Sequence, residues 1–369
     1  MTEKYANRVN IFFEEEIATD QEVLNSSFDY LYFLIEESED ALYTRTTYSD
    51  EYLSKLKEVG LNPQKTVKKA AAIKNWWSKP NLDRAVLKRW LSKYQLNEFK
   101  KKFEEELKNK CLSFIIANNK NDFDQFRKQY KKIVCKKEYS FSARGQRYFL
   151  ESFKESDISE FPVVCEEYQG PKLNIGTRVF NNEIRDTFNI VDSKGVYRGS
   201  IFSKDVEALF EGEIFQSFHH DKKILSEKLQ TELEGEEFQF DSFLYFDHED
   251  NISFHMMHDL NLRKSMSDIG HRLLKLERFS ESLQILLFVP KSLALKIESS
   301  CNIGFDSLSP KSSAFVIALL LGESFEEVVL NFRENEKLEV KLTQTERAVY
   351  HDICESLDFV LGLKRKSGL

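Results

Sequence analysis

The chain has 369 residues, is 41% hydrophobic and 31% charged, and carries a net charge of −8. That length supports two or three domains with cores of their own, and the composition excludes an intrinsically disordered chain. Glycine (13) and proline (6) are scarce beside 31 phenylalanines, which argues against a nucleotide site built on a glycine loop.

The first 20 residues hold no apolar run after a basic stretch, so no secretory signal is expected. The longest purely apolar run, Ala314 to Leu321, is far too short to span a bilayer. The five cysteines form no Cys-x-x-Cys pair, so neither a disulfide framework nor a zinc knuckle is expected, and a cytoplasmic location fits.

In chain order, residues 1–60 read as a small acidic mixed segment. Phe28 to Ile35 is β-rich and apolar, and Tyr48 to Val59 reads as a helix stopped by Gly60. Residues 61–137 read as a basic helical region. Its first helix runs from Thr66 to Trp77, and Lys79-Pro80-Asn81 breaks it. Leu82 to Tyr94 repeats apolar residues at helical spacing. A third helix carries Phe99, Phe103, Leu107, Cys111 and Phe114 as its stripe, and a fourth covers Asp122 to Val134.

Residues 138–369 read as an α+β domain with antiparallel hairpins. One hairpin spans Phe188 to Phe202 and turns at Asp192 to Gly195. A second spans Phe243 to Met257 and turns at Asp247 to Asn251. Helices are expected over Ile269–Phe279 and Pro290–Glu298, with strands at Gln284–Val289, Ala314–Leu321 and Leu338–Leu342. A final helix opens on a Thr343-x-x-Glu346 capping box. The fold class is therefore α+β, with a basic helical N-terminal region ahead of a mixed C-terminal domain.

Charge is unevenly spread. Residues 61–147 hold all three tryptophans and 23 Lys/Arg against 8 Asp/Glu, a local excess of 15. Such a block attracts polyanions whatever the global charge. Two helices around Pro80 resemble a helix-turn-helix in outline. Arg84, Lys88, Arg89 and Lys93 are then expected to face phosphates, with Lys100, Lys101, Lys131, Lys132 and Lys136 extending the track and Trp77 stacking on a base. The plain alternatives are core packing for Trp90, a solvated lysine face, or docking on an acidic protein.

Six of the seven histidines lie between residues 219 and 271. His219, His220, Asp221, His255 and His258 offer a ligand set for a divalent metal such as zinc, manganese or iron. His255 and His258, three apart on a strand, are expected on opposite faces. A separate carboxylate reading uses Asp306 with Glu339 and Lys341 around a Mg²⁺ ion.

The leading functional expectation is a nucleic-acid-binding protein, for DNA first. Its general look is similar to proteins of mobile elements and anti-phage defence loci, where it would serve as a sensor or adaptor. A metal-dependent nuclease or phosphohydrolase, and a scaffold subunit for an acidic protein, stand beside it. No cofactor is otherwise indicated. Nucleic acid, a protein partner and further copies of the chain are the expected partners, and no membrane is.

Overall fold

A computed structural model describes residues 3–9, 27–35, 40–75, 84–139, 146–149, 161–180, 183–333 and 335–367. The elements begin with β1 (Glu3–Arg8), α1 (Tyr32–Ile35), β2 (Ala41–Tyr43), α2 (Asp50–Glu58), β3 (Thr66–Val67) and β4 (Ala70–Asn75). Next come α3 (Arg84–Leu91), α4 (Lys93–Lys102), β5 (Phe114–Ala117), α5 (Lys120–Gln129), β6 (Ile133–Lys136) and β7 (Arg147–Phe149). They continue with β8 (Val163–Glu167), β9 (Leu173–Phe180), β10 (Glu183–Val191), β11 (Tyr197–Ile201), α6 (Lys204–Glu207), α7 (Gln216–Glu232), β12 (Phe238–Phe246) and β13 (Ile252–Asn261). The last are α8 (Met266–Leu273), β14 (Leu283–Pro290), α9 (Lys291–Ser300), β15 (Gly304–Ser307), β16 (Phe315–Leu321), α10 (Phe325–Arg333), α11 (Glu336–Lys341) and α12 (Gln344–Ser367).

Two compact units share the chain. The first comprises Met1–Asn81, Thr187–Phe210 and Arg263–Leu369, and the second Leu82–Asp186 and Glu211–Leu262.

In the first unit, a parallel sheet runs in the order β3-β2-β1-β4. Ser49 caps α2 by accepting from Tyr52 N, and Gly60, at φ +90°, takes the left-handed turn that ends it. Antiparallel strands follow in the order β10-β11-β14-β16-β15. β14 and β16 are near-continuous apolar runs because both faces are covered, and Leu286 pairs with Leu319 at their centre. The box at the start of α12 forms as expected: Glu346 N donates to Thr343 Oγ1, and Thr343 N donates to Glu346 Oε2.

In the second unit, β5-β8-β6-β7 form an antiparallel sheet, and α5 packs on one face of it. Phe123, Phe126, Ile133, Cys135, Phe149 and Cys165 fill that face. Strand alternation turns Lys136 and Glu166 to the other. Strands β13, β12 and β9 form a second antiparallel set, and α4 and α7 pack on β13.

Mixed α+β architecture with antiparallel hairpins is what the chain has, but the basic helical N-terminal region is not. Thr66–Asn75 forms strands β3 and β4, because pairing with β2 and β1 overrides the helix preference of an alanine run. The stripe expected to reach Phe114 stops at Lys102, and Phe114 itself opens β5. The fourth helix ends at Gln129, and Ile133 to Lys136 is a strand. Phe28 to Ile35 is helical, not a strand, and Leu338 lies in α11.

Candidate functional site

Helix α4 presents Lys93, Asn97 and Lys100 at a spacing of four and three residues, which puts all three on one stripe. All three are buried, with Lys100 only 2% exposed. Ser92 caps the helix, accepting from Gln95 N, and its own Oγ donates to Glu138 Oε1 at 2.7 Å. On the sheet below, Lys136 of β6 meets Glu166 of β8, with Nζ 2.6 Å from Oε2. Asn97 Nδ2 donates to the other oxygen, Oε1, at 2.7 Å. From β13, Asp259 receives the Lys93 ammonium. His255 Nε2 stands 3.4 Å from Lys100 Nζ.

The backbone of β13 departs from ideal pairing here. The register with β12 shifts between Asp241 and Phe243, and Met257 sits at φ +51°, in the left-handed region. Met257 N donates to Ser242 Oγ at 3.0 Å, which holds the distortion. Between these two pairs β12 advances two residues and β13 four, which breaks the strict alternation of faces. His255 and His258 therefore flank the same Phe243 ring, at centroid distances of 5.0 and 5.2 Å, and lie 6.5 Å from each other. The expectation that they leave opposite faces is corrected by this bulge.

The charges do not balance. Lys93, Lys100 and Lys136 bring three ammonium groups, while Glu166 and Asp259 bring two carboxylates. Burial lowers the Lys100 ammonium to about 8, partly opposed by Glu166 and reinforced by Lys136. Burial alone would raise the Glu166 carboxyl, but Lys136 and Lys100 hold it below its ordinary value. Lys93 does the same for Asp259. Burial and then the neighbouring lysines keep both histidines neutral, His258 at about 3 and His255 well below its ordinary value. Within this set of five side chains the ammonium groups outnumber the carboxylates by one.

Beside this cluster, Asp241 and Asp259 are paired across β12 and β13, as are Gln239 and Asn261. Asp241 accepts from Gln239 Nε2 at 3.0 Å and from Asn261 Nδ2 at 2.8 Å.

The remaining sequence candidates are dispersed. Trp77 lies outside the described residues, and Arg84 opens α3. Lys88 stands 6.0 Å over the Tyr139 ring. Arg89 lies over Trp90 at 4.9 Å and 3.6 Å from Glu232. Lys101 pairs with Glu104 one helical turn on, and Lys131 and Lys132 are exposed between α5 and β6. Trp90 is buried against Phe99, in its plain core role.

On α7, Asp221 accepts from Lys108 N, Asn109 N and Asn109 Nδ2, and His220 Nε2 meets Glu106 O at 3.0 Å. His219 follows Phe218 on the same helix, at a ring distance of 5.6 Å. In the first unit, Asp306 is held by Lys55 at 2.8 Å and Arg278 at 2.9 Å. Glu339, on a helix, stands 3.3 Å from His351, and Lys341 donates to Ser300 Oγ. Among the described residues no hydrogen bond or ion pair joins Asp306 to Glu339 or Lys341, and no three His, Cys, Asp or Glu stand together as a metal cluster. No described helix is long and apolar enough to cross a membrane.

No family model and no curated protein matches the chain. Solved structures do. The chain is similar to N5-carboxyaminoimidazole synthetase from Staphylococcus aureus complexed with ADP, at 12% identity and a TM-score of 0.47, over 89% of this chain and 96% of that one. It is similar to carboxyaminoimidazole ribonucleotide synthase from Aspergillus clavatus complexed with ATP, at 11% identity and a TM-score of 0.44, over 85% and 82%. It is also similar to the biotin carboxylase domain of Hydrogenobacter thermophilus 2-oxoglutarate carboxylase with MgADP and bicarbonate, at 11% identity and a TM-score of 0.46, over 90% and 85%.

The expectation of a nucleic-acid-binding adaptor in phage defence, with its nuclease and scaffold alternatives, is corrected by where the structure places these residues. Lys93, Lys100 and Lys136 point inward, so three of the nine cations of the supposed track are not a surface.

Proposed function

We propose that the second unit is the phosphate-binding part of an enzyme that uses a nucleoside triphosphate, with Lys100 and Lys136 gripping the phosphate oxygens. The observation that carries this reading is the surplus ammonium among Lys93, Lys100, Lys136, Glu166 and Asp259. Burying an uncompensated charge costs several kcal/mol, and folding alone gives no return for it. A phosphate chain supplies the missing negative charge, and Lys100 then holds its proton firmly. Phosphoryl transfer needs cations spread over the phosphate oxygens, and ammonium groups act most strongly where water is excluded. A closed site also favours transfer to a bound acceptor over hydrolysis.

A divalent cation fits beside it. The oxygens of Asp241, Asp259 and Asn261 are hard donors on adjacent strand positions, the set that Mg²⁺ takes when it accompanies phosphates. When bound, the ion would neutralise phosphate charge. The chain's part is to hold it against the lysines. ADP and ATP in the similar structures belong to those proteins, and the same ligand class is proposed here from the charge of the cluster.

Titration of the purified protein with a fluorescent ADP analogue, displaced by ATP and ADP with Mg²⁺, tests the reading. The expected Kd lies in the range of about 1–100 μM, with loss of binding in Lys100→Met. Absence of any binding of ATP, ADP or GTP at millimolar concentration would overturn it.

A further inference from the structure

The small sheet of the second unit brings two cysteines onto one rung. Cys135 of β6 lies directly opposite Cys165 of β8 in the antiparallel register, although 30 residues separate them in sequence. Their sulfurs stand 3.2 Å apart, and the two residues are 3% and 0% exposed. Directly opposed residues of an antiparallel pair have Cα atoms about 4.5–5.5 Å apart, inside the roughly 4.4–6.8 Å that a disulfide spans. Closing the sulfurs to a bonding distance of about 2 Å therefore asks for side-chain rotation and no backbone shift. A single buried cysteine is a small apolar filler. Two with their sulfurs in contact are also a dithiol already set for a bond. Phe123, Phe126 and Phe149 share the cysteines' cluster on one face of the sheet. The next residues along, Lys136 and Glu166, make their ion pair on the other.

We propose that Cys135 and Cys165 form an intramolecular disulfide when a peroxide oxidises the protein, and that the bond locks β6 to β8 behind the Lys136–Glu166 pair. The bond needs no ligand at the lysine cluster, so it stands apart from the reading proposed above. One sulfur attacks the peroxide, the O–O bond breaks, and a sulfenic acid and one water result. The second sulfur attacks the first, the S–S bond forms, the S–O bond breaks, and the hydroxyl leaves with the second thiol's proton as water. The two sulfurs give up two electrons in all, and the peroxide is reduced to two waters. The thiolate is the attacking form, and the Cys165 sulfur, then burial, holds the Cys135 thiol well above its ordinary value. The folded protein therefore reacts slowly, through local opening at β7, the three-residue edge strand whose Arg147 pairs with Cys135. Once formed, the bond closes the loop between the two cysteines and restricts the unfolded chain.

The test starts with wild-type protein held in hydrogen peroxide for several hours, then denatured, alkylated without reductant, digested and read by mass spectrometry. The expected product is a linked Cys135–Cys165 peptide pair, about 2 Da lighter than the two free peptides together and separated again by a thiol reductant. The linked protein should melt about 5 °C or more above the same protein after reduction, a comparison that needs no variant. In Cys165→Ala, peroxide should give no such rise. Cys135 and Cys165 that both remain alkylatable, or that take up oxygen as sulfinic acid without a link, would overturn the proposal. A linked protein that melts no higher than the reduced one, or an equal rise in Cys165→Ala, would overturn it as well.

Discussion

Lys136 and Glu166 meet across β6 and β8 with Nζ 2.6 Å from Oε2, and both side chains are about 95% closed to solvent. The pair is the fixed floor of the cluster. It neutralises itself, Asn97 takes the second oxygen, and Lys100 is left as the ammonium with no carboxylate in hydrogen-bond range among the described residues. These two lysines therefore do opposite things to stability.

Removing Lys136 leaves Glu166 buried without its cation. Lys136→Met is expected to cost about 3–5 kcal/mol in urea unfolding, and Lys136→Met with Glu166→Met to regain most of it. If the double variant is no more stable than the single, the carboxylate is not the source of the penalty.

Removing Lys100 should do the reverse. Lys100→Met is expected to be as stable as wild type or more so at pH 7, because methionine fills the space without a buried charge. The pH dependence follows in sign. The folded state lowers this group from 10.5 to about 8, so below pH 8 the charged form is held against its preference and stability is reduced. That penalty fades as pH rises from about 8 towards 10.5. The stability gap between variant and wild type should narrow over that window and stay constant below it.

Asp221 ties the 108–109 segment to α7 through two backbone N–H groups and the Asn109 amide. Asp221→Ala strands these donors in the interior and is expected to cost about 2–4 kcal/mol in denaturant unfolding, with Asp221→Asn intermediate. A cost below about 0.5 kcal/mol would show that the segment re-pairs elsewhere.

Glu346 reports on the first unit. Burial works against its carboxylate, but Lys296 and the Thr343 cap bring it down to about 2. Its contribution is present above pH 4.5 and lost as pH falls towards 2. Glu346→Ala is expected to cost about 1 kcal/mol at pH 7 and to match wild type near pH 2. A cost that persists unchanged at pH 2 would contradict the cap.

Much of the fold is written in local patterns. The Asp192 turn, the Thr343–Glu346 box, the apolar strands β14 and β16 and the second hairpin all follow from turn chemistry and periodicity. What long-range pairing decides is not written there. Residues 70–73 look helical until β1 claims them as a parallel neighbour. The site is legible only in part. Lys93, Asn97 and Lys100 share a stripe, which was a usable signal, but a lysine stripe ordinarily marks a solvated face. Only the carboxylates of Glu166 and Asp259, 66 or more residues away in sequence, turn it inward. His255 and His258 have the wrong parity for one site, and a single left-handed residue between them reverses that.

The most direct test is the affinity of Lys100→Met for Mg·ADP, measured by calorimetry beside wild type with far-UV circular dichroism confirming the fold. The phosphate-site account predicts micromolar binding by wild type and a loss of about 100-fold or more in the variant. Equal affinities in the two proteins, or no binding by either, would contradict it.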